Sequence, residues 1–212
     1  MTHQARGEAT RRGILSAAVE VFEEVGYGDA SFTEIIDRAG VSKGACYYHF
    51  PTKAAVAAAL VAESDAVVVA ATRAVWDYSP QSNVLENLIR AAFVIADCAS
   101  FDTIVRTGIH LVAALGDRGS ERDRLEGTRG FLIDAVESAI AEGDMRGDVS
   151  AEDLGHALWV SLLGNLVLSE AAGEDLTAAL ARVLRTILPG VCTGGSGPLF
   201  QDVVDRLAGQ HS

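Results

Sequence analysis

Apolar residues recur at helical spacing along almost the whole chain, and this periodicity constrains the fold more than any other feature of the sequence. The first such segment carries one apolar stripe with charged residues facing away from it, formed by Ile14, Ala17, Ala18, Val21, Phe22 and Val25. No run shows the sustained alternation that a half-buried strand requires. Only 4 of the 212 residues are proline, so little interrupts the helices. The sequence therefore predicts an all-α protein.

The charge of the chain is strongly acidic but unevenly spread. The whole chain carries 17 basic and 29 acidic residues, a formal net charge of −12, which excludes a uniformly basic nucleic-acid-binding protein. Residues 1–53 are nearly neutral, with 6 basic and 7 acidic side chains. Salt screens charges that are more than about 8 Å apart. The distant acidic residues therefore leave the first quarter of the chain able to contact a polyanion.

Cysteine usage and apolar runs indicate the compartment. Cys46, Cys98 and Cys192 are far apart and lack paired spacing, so they indicate neither a disulfide framework nor a zinc site. Charged residues interrupt the N-terminal region, which does not resemble a signal peptide. The most apolar stretch, residues 54–71, is broken by Glu63 and Asp65 and falls short of a membrane span. We expect a cytoplasmic protein with no cofactor, no metal ion and no membrane attachment.

Two short helices separated by a tight turn form the most informative motif. Ser31 stands where it can cap a helix that ends at Gly40, and Ser42 can cap a second helix over residues 43–49. Gly40 suits the turn, and Val41 can fill the angle between the two helices. This spacing predicts a helix-turn-helix, in which the second helix presents its N-terminus and one face to the major groove of DNA.

The side chains on and around this second helix suit a DNA surface. A lysine at its first position adds charge beside backbone N–H groups that attract phosphate, and the glycine after it permits close approach. Tyrosine, histidine and hydroxyl side chains can contact base edges and the DNA backbone. The candidate DNA-binding residues are Ser31, Thr33, Ser42, Lys43, Gly44, Tyr47, Tyr48, His49 and Lys53. Arg6, Arg11 and Arg12 are expected to form a flexible basic arm.

The segment from Val41 to Lys53, Val-Ser-Lys-Gly-Ala-Cys-Tyr-Tyr-His-Phe-Pro-Thr-Lys, closely resembles the recognition segment of TetR-family transcriptional regulators. Phe22, Gly26-Tyr27 and the stretch 35–41 match the rest of that family's N-terminal pattern. The resemblance implies an N-terminal three-helix helix-turn-helix DNA-binding domain, followed by a helical ligand-binding and dimerisation domain. It also implies a homodimeric repressor that binds a palindromic operator in double-stranded DNA and releases it when a small molecule binds.

A second resemblance covers part of the remaining chain. Residues 105–111, 132–136 and 148–164 are similar to the γ-butyrolactone autoregulator receptors of actinomycetes. This second resemblance implies that the effector is a γ-butyrolactone-like molecule or another small apolar molecule. Those receptors have a tryptophan near the start of the helix before residues 132–136, and this chain has none there. An orphan regulator without a diffusible ligand is therefore the alternative.

The expected organisation has three parts. Residues 1–53 form the DNA-binding domain, 54–190 the effector-binding and dimerisation domain, and 191–212 a Gly-rich linker with a short C-terminal helix that is an add-on. After the three N-terminal helices, the periodicity predicts helices over 52–75, 84–98, 101–115, 122–141, 151–171, 176–188 and 199–207, with a connector at 117–120.

Candidate ligand-binding and dimer residues lie behind the motif. Tryptophans and polar side chains on apolar helical stretches are candidates to line an effector pocket, with ordinary core packing as the alternative: Trp76, Cys98, His110, Trp159 and Asn165. The helices over 151–171 and 176–188 carry more apolar surface than one chain needs to cover. We expect a four-helix interface with a second copy through Leu158, Leu162, Gly164, Leu166, Val183, Leu184 and Ile187, although internal core packing also explains them.

Two other function classes fit the sequence less well. An all-helical enzyme is disfavoured because we find no nucleophile–base spacing, no HExxH and no Gly-rich phosphate loop. A dimerising adaptor that has lost DNA binding is disfavoured by the intact segment 43–53. The sequence therefore predicts a regulator and not an enzyme.

Overall fold

The computed structural model describes residues 3–78, 82–115 and 120–210, and within these ranges the chain forms helices and no β-sheet. The helices are α1 (His3–Asp29), α2 (Phe32–Ala39), α3 (Lys43–His49), α4 (Lys53–Tyr78), α5 (Val84–Phe101), α6 (Thr103–Leu115), α7 (Ser120–Ala141), α8 (Ala151–Ala172), α9 (Leu176–Val191) and α10 (Gly197–Gly209). The predicted all-α class is confirmed. The connector predicted at 117–120 lies, apart from Ser120, outside the described residues.

The helices group into two compact units. The first consists of Met1–Val67 and Asp102–Gly116, and the second of Val68–Phe101 and Asp117–Ser212. Helix α4 contributes its first part to the first unit and the rest to the second, and α6 belongs to the first unit. The predicted domain boundaries concern function as well as packing, and they stay a prediction.

The first unit has a core built around the apolar stripe of α1. Ile14, Ala18 and Val21 are fully buried, and they pack in one cluster with side chains of α2, α3, α4 and α6. Phe22 and Phe50 belong to this core, as predicted, and Cys46 fills a fully buried position. The cluster fixes α3 from one side, because a helix of seven residues is not stable without tertiary contacts.

Helix α6 packs very closely on α4 within the first unit. A Cβ atom added at Gly108 would lie 2.3 Å from Cβ of Ser64, so no larger residue fits without movement. The buried Ser64 hydroxyl donates to the carbonyl oxygen of Val105 at 3.2 Å. Glycine at position 108 therefore allows α6 to approach α4 at the point where this hydrogen bond forms.

Helix α10 is an integral part of the second unit. Phe200, Val203 and Val204 are buried in the same core as Phe93 of α5 and Leu184 of α9. The expectation of a separable add-on is therefore wrong. Sequence reasoning took the polar, Gly-rich segment as a boundary, whereas the apolar side of the helix behind it completes the core.

The connection into α10 is held by hydrogen bonds. The Thr193 backbone N–H donates to the carbonyl oxygen of Asp144 at 2.9 Å, and the Ser196 hydroxyl donates to Oδ1 of Asp144 at the same distance. The Thr193 hydroxyl donates to the carbonyl oxygen of Gly143 at 3.2 Å. The segment predicted as a Gly-rich linker is thus a tight turn whose polar groups have partners.

Helix α4 is long and apolar enough to cross a membrane by length and composition, the one such helix among the described residues. Its first part is nevertheless packed in the first unit, where Val56, Ala57, Leu60 and Val61 are fully buried. The core helix of a soluble protein passes the same test of length and composition. Val67 and Val69 of the same helix are exposed.

Candidate nucleic-acid interface

The helix-turn-helix is defined by three local caps. The Ser31 hydroxyl oxygen accepts from the backbone N–H of Glu34 at 3.1 Å, and Ser42 accepts from Ala45 N–H at 3.2 Å. Gly40 ends α2 in the left-handed conformation, with φ of 63°, which favours glycine. The predicted caps and turn are confirmed. They fix the start of α3 relative to α2.

Helix α3 buries one side and exposes the other. Cys46 and the following Phe50 are buried in the core, while Lys43, Gly44, Tyr47 and Tyr48 form what we call the exposed α3 face. Tyr47 is 54% exposed and Tyr48 83% exposed. The exposed α3 face therefore combines two aromatic side chains with the positive charge of Lys43.

Neighbouring rings orient the two tyrosines. The Tyr47 ring contacts Phe32 edge-on, with centroids 5.3 Å apart, and Tyr48 contacts His49 in the same manner at 5.1 Å. His49 is half-buried, whereas Ser31, Thr33 and Ser42 are exposed beside the starts of α2 and α3. The structure thus brings the predicted DNA-binding residues other than Lys53 to one local motif.

Lys53 has a different environment. Its Nζ donates to the carbonyl oxygens of Tyr27 at 2.6 Å, Ala30 at 2.7 Å and Gly28 at 3.3 Å. The same Nζ lies 4.4 Å from the centroid of the Tyr27 ring. The predicted DNA contact of Lys53 stays a prediction. The intramolecular contacts are non-local, since the partners lie 23 to 26 residues earlier in the chain.

Several arginines of the first unit are engaged in ion pairs. Arg38 donates two hydrogen bonds to Glu24, at 2.7 and 2.8 Å, which lowers the pKa of that carboxyl below its usual value. Arg11 contacts Glu63 at 2.6 Å. Arg6, Arg11 and Arg12 all lie within α1, so the expectation of a flexible basic arm is wrong. The segment has helix-forming residues on both sides of these arginines, and the helix begins at His3.

The second unit contains an apolar cavity of about 50 Å³ between α5, α7, α8 and α9. Ser161 is the one polar residue among the side chains that line it. The lining includes Leu85, Leu88, Leu132, Leu154, Leu158, Leu162, Val183, Leu184 and Ile187. Such a cavity favours apolar groups, because a polar group placed there loses its hydration without gaining a partner.

The five predicted ligand-binding residues do not converge on this cavity. Trp76 contacts Phe131 edge-on, with centroids 5.9 Å apart, while Cys98 and His110 are half-buried. His110 belongs to the first unit. Asn165 donates through Nδ2 to the carbonyl oxygen of Ser161 at 2.7 Å and lies at shallow surface grooves of α8 and α9. The ligand-binding assignment of these residues stays a prediction.

Trp159 has the most informative position of the five. It packs beside Leu88 and Leu132, two residues that also line the apolar cavity. Its indole Nε1 is buried without a hydrogen-bond partner among the described atoms. An unsatisfied buried donor costs about 1–3 kcal/mol, which an acceptor on a bound molecule would relieve.

Most of the predicted dimer residues face inward. Leu158, Leu162, Val183, Leu184 and Ile187 line the cavity, and Leu166 is buried. Burial within the single chain leaves Leu166 and Leu184 little surface for a partner. Their assignment to an interface stays a prediction.

A different set of α8 side chains faces outward. Val160 is 49% exposed and Leu168 is 65% exposed. Among the described residues, and apart from the chain next to Gly164, no atom lies within 4 Å of a Cβ placed on this glycine. These three residues, four apart in sequence, form an outward line that we call the α8 stripe. Leu168 was missed by sequence reasoning, although its spacing from Gly164 indicated it.

The comparisons with known proteins agree with the motif. The family model for "Bacterial regulatory proteins, tetR family" matches residues 14–60. The A-factor receptor protein of Streptomyces griseus is 30% identical over 203 residues, which cover 92% of this chain and 68% of that protein. The chain belongs to the TetR family. The HTH-type transcriptional repressor BepR of Brucella suis is 28% identical over 196 residues, which cover 87% of this chain and 93% of that protein.

Solved structures of TetR-family members share the fold. The CprB protein of Streptomyces coelicolor, solved in complex with its operator sequence, is 25% identical and has a TM-score of 0.80, covering 97% of this chain and 99% of that chain. A γ-butyrolactone receptor described as ArpA-like reaches a TM-score of 0.81 at 23% identity, covering 96% and 99% of the two chains. The predicted resemblance to this receptor subgroup is confirmed.

Membership of the TetR family settles the function class. The protein is a DNA-binding transcriptional regulator and not an enzyme, as predicted. Regulators of this family bind operator DNA as dimers and respond to small-molecule ligands. Among the described residues, no group of three or more His, Cys, Asp or Glu side chains is placed to hold a metal ion.

Proposed function

We propose that the protein is a cytoplasmic repressor that binds a palindromic operator as a homodimer and releases it when a small apolar effector binds. The exposed α3 face is the observation that carries the DNA-binding part. Lys43, Tyr47 and Tyr48 project from a short helix whose opposite side is anchored in the core. A helix presented in this way enters the major groove, where its side chains contact base edges.

Backbone contacts position that helix on the duplex. Ser31, Thr33 and Ser42 lie exposed at the starts of α2 and α3, where backbone N–H groups attract phosphate. His49 is half-buried beside Tyr48 and can donate to a phosphate. We expect affinity to fall with salt, because each phosphate contact releases counterions from DNA.

A second copy supplies the other half of the operator. One α3 covers too few base pairs for a specific site, so two copies bind half-sites about one helical turn apart, roughly 34–36 Å, or a small multiple of it. The α8 stripe supports this arrangement, because its apolar surface is exposed in the single chain and Gly164 permits close helix approach. A symmetric pairing buries each stripe against its copy.

The apolar cavity is the proposed effector site. It lies within the second unit and has the size of a short alkyl group. Trp159, whose buried indole N–H has no partner among the described atoms, packs against a cluster that includes two residues lining the cavity. A γ-butyrolactone-like molecule, with an alkyl chain and a carbonyl acceptor, has both features. Such an effector releases DNA only if it binds more tightly to the conformation with low operator affinity.

The DNA-binding part is tested with duplexes selected from a random library by the wild-type protein. The selected sequences should contain an inverted repeat. Tyr47→Ala and Lys43→Ala should weaken binding in a mobility shift, whereas Leu199→Ala, an exposed position on α10, should not. If both α3 variants bind as the parent does, the exposed α3 face is not the DNA-binding surface.

The effector part is tested by thermal shift with small lactones, furans and fatty acids. A true effector raises the melting temperature by mass action and abolishes the mobility shift. Ala92→Leu, which narrows the cavity, should reduce that stabilisation, and Ala178→Leu on the exposed side of α9 should leave it unchanged. If no compound acts while DNA binding is intact, the orphan regulator without a diffusible ligand is the better description.

A further inference from the structure

A surface groove follows the seam between α8 and α9 in the second unit. It consists of two hollows of about 340 and 360 Å³. Asn165, Glu174 and Val183 line both hollows, so we describe the two together as the α8–α9 groove. Leu168 and Arg182, which also line it, are exposed. The groove is therefore open to a partner, unlike the apolar cavity beneath the same two helices.

The α8–α9 groove and the apolar cavity share a wall. Val183 lines the cavity and both hollows, whereas Ser161 and Ile187 each line the cavity and one hollow. We call these three the seam residues. All three are half-buried, while Leu154 and Leu184, which line the same cavity, are buried. A single layer of side chains therefore separates the cavity from solvent along the seam.

The surroundings of the groove indicate what covers it. Gly164 and Leu168 of the α8 stripe line the groove, so the groove continues the proposed dimer surface. Glu174 and Arg182, which also line it, form an ion pair at 2.9 Å. A face that carries both charges is complementary to itself across a two-fold axis, because each copy offers an acidic and a basic group to the other. The occupant that fits these features is a second copy of the chain.

We propose that the second copy completes the effector site, so that the effector binds more tightly to the dimer than to the single chain. The inference rests on the proposed effector function of the cavity. A copy seated in the groove covers the seam residues and excludes water from them, which favours an apolar molecule on the other side of that wall. By linkage, the effector strengthens the dimer by the same factor at each site. The effector response then depends on the concentration of the regulator.

The test measures calorimetrically how γ-decalactone, a lactone with an alkyl chain, binds to the wild type and to Leu168→Glu. A glutamate in the α8 stripe opposes its own copy across the interface, so we expect this variant to sediment as a single chain. It should bind the lactone about tenfold more weakly than the wild-type dimer does. Leu199→Glu, at an exposed leucine of α10, is the matched control and should match the wild type in both measurements. Circular dichroism checks that both variants are folded.

The reciprocal measurement needs no substitution. In sedimentation equilibrium, saturating lactone should lower the dimer dissociation constant of the wild type about a hundredfold, since each of the two sites contributes about tenfold. Because the two measurements report one coupling, their factors must agree.

Three outcomes would overturn the coupling while leaving the effector site in place. They are equal lactone affinities of the dimer and the single chain, a dimer dissociation constant that the lactone does not lower, and a Leu168→Glu variant that remains dimeric. In the last case the second copy would lie away from the groove. Absence of any lactone binding to the wild type would instead refute the effector site of the proposed function, and the coupling with it.

Discussion

The helices that carry the proposed DNA-binding and dimer surfaces are positioned by different kinds of contact. Helix α3 of the first unit has seven residues, and its placement depends on caps at Ser31, Gly40 and Ser42 and on a buried Cys46. Helix α8 of the second unit has 22 residues and is apolar on nearly all sides, so its placement depends on packing against α7 and α9. The first arrangement uses a few directional contacts, and the second uses many non-directional ones.

This difference separates function from stability. A polar substitution in the helix-turn-helix changes where a few side chains point, while the α1 core keeps the first unit folded. A substitution in the apolar core of the second unit removes buried surface and lowers the free energy of unfolding. We therefore expect the largest stability effects in the second unit, and smaller effects with clear functional consequences in the first.

The largest expected effect is at the C-terminal helix. Phe200→Ala should lower the free energy of unfolding by about 3–5 kcal/mol, because a fully buried aromatic side chain is replaced by a cavity. Urea unfolding followed by circular dichroism measures it. Leu199→Ala, at the neighbouring exposed position, should change stability little. Equal effects at the two positions would mean that α10 is not part of the core.

Two glycines of α8 differ in how closely other atoms surround them. A Cβ at Gly155 would lie 2.7 Å from Cγ1 and 3.0 Å from Cα of Ile133 in α7, so Gly155→Ala should cost about 1–3 kcal/mol. Gly164→Ala should leave the single chain as stable as before or more so, by up to about 1 kcal/mol. It should, however, weaken self-association in sedimentation. An unchanged dimer would place the interface away from the α8 stripe.

Substitutions at Ser42 separate the cap from the DNA contact. Ser42→Ala removes the acceptor for Ala45 N–H and should cost about 1 kcal/mol of stability. Ser42→Asp keeps an acceptor of equal capping quality but places a negative charge at the start of α3. Its melting temperature should match the wild type while its operator affinity falls. If Ser42→Asp binds operator normally, the start of α3 does not approach phosphate.

The smallest expected effect concerns the Arg38–Glu24 pair. The pKa of Glu24 lies below its usual value because Arg38 hydrogen-bonds the carboxylate, so the pair stabilises the fold above the usual carboxyl pKa and less as pH falls through the lowered value. Both groups are exposed, so the melting temperature should change by about a degree or less, and less still in high salt. Arg38→Gln should remove this pH dependence. An equal acid sensitivity in that variant would assign it to other carboxyl groups.

The sequence predicted what depends on near neighbours. The caps at Ser31 and Ser42 and the turn at Gly40 each involve residues within about four positions, and all three were identified before the structure. Most helix bounds followed from apolar spacing in the same way. The local signals therefore placed the candidate DNA-binding residues other than Lys53 on one helix-turn-helix, and their contact with DNA stays a prediction.

Contacts between distant segments were not predicted. The partners of Lys53 lie more than 20 residues away, and no local pattern distinguishes this lysine from an exposed one. Apolar residues occur on every side of α8. Their spacing therefore could not predict which side chains face the cavity and which form the α8 stripe. The Gly-rich composition before α10 led to the prediction that this helix lies outside the core, whereas one side of α10 is buried in it.

The backbone conformation of Gly26 restricts which codons the gene can carry at this position. Its backbone, with φ of 75° and ψ of 161°, lies in a region that essentially glycine alone occupies, although space around its Cα is open. Any other residue would shift the turn whose carbonyl groups Lys53 binds. In a randomly mutated population that is selected for repression, codon 26 should retain third-base changes and lose those at its first two bases.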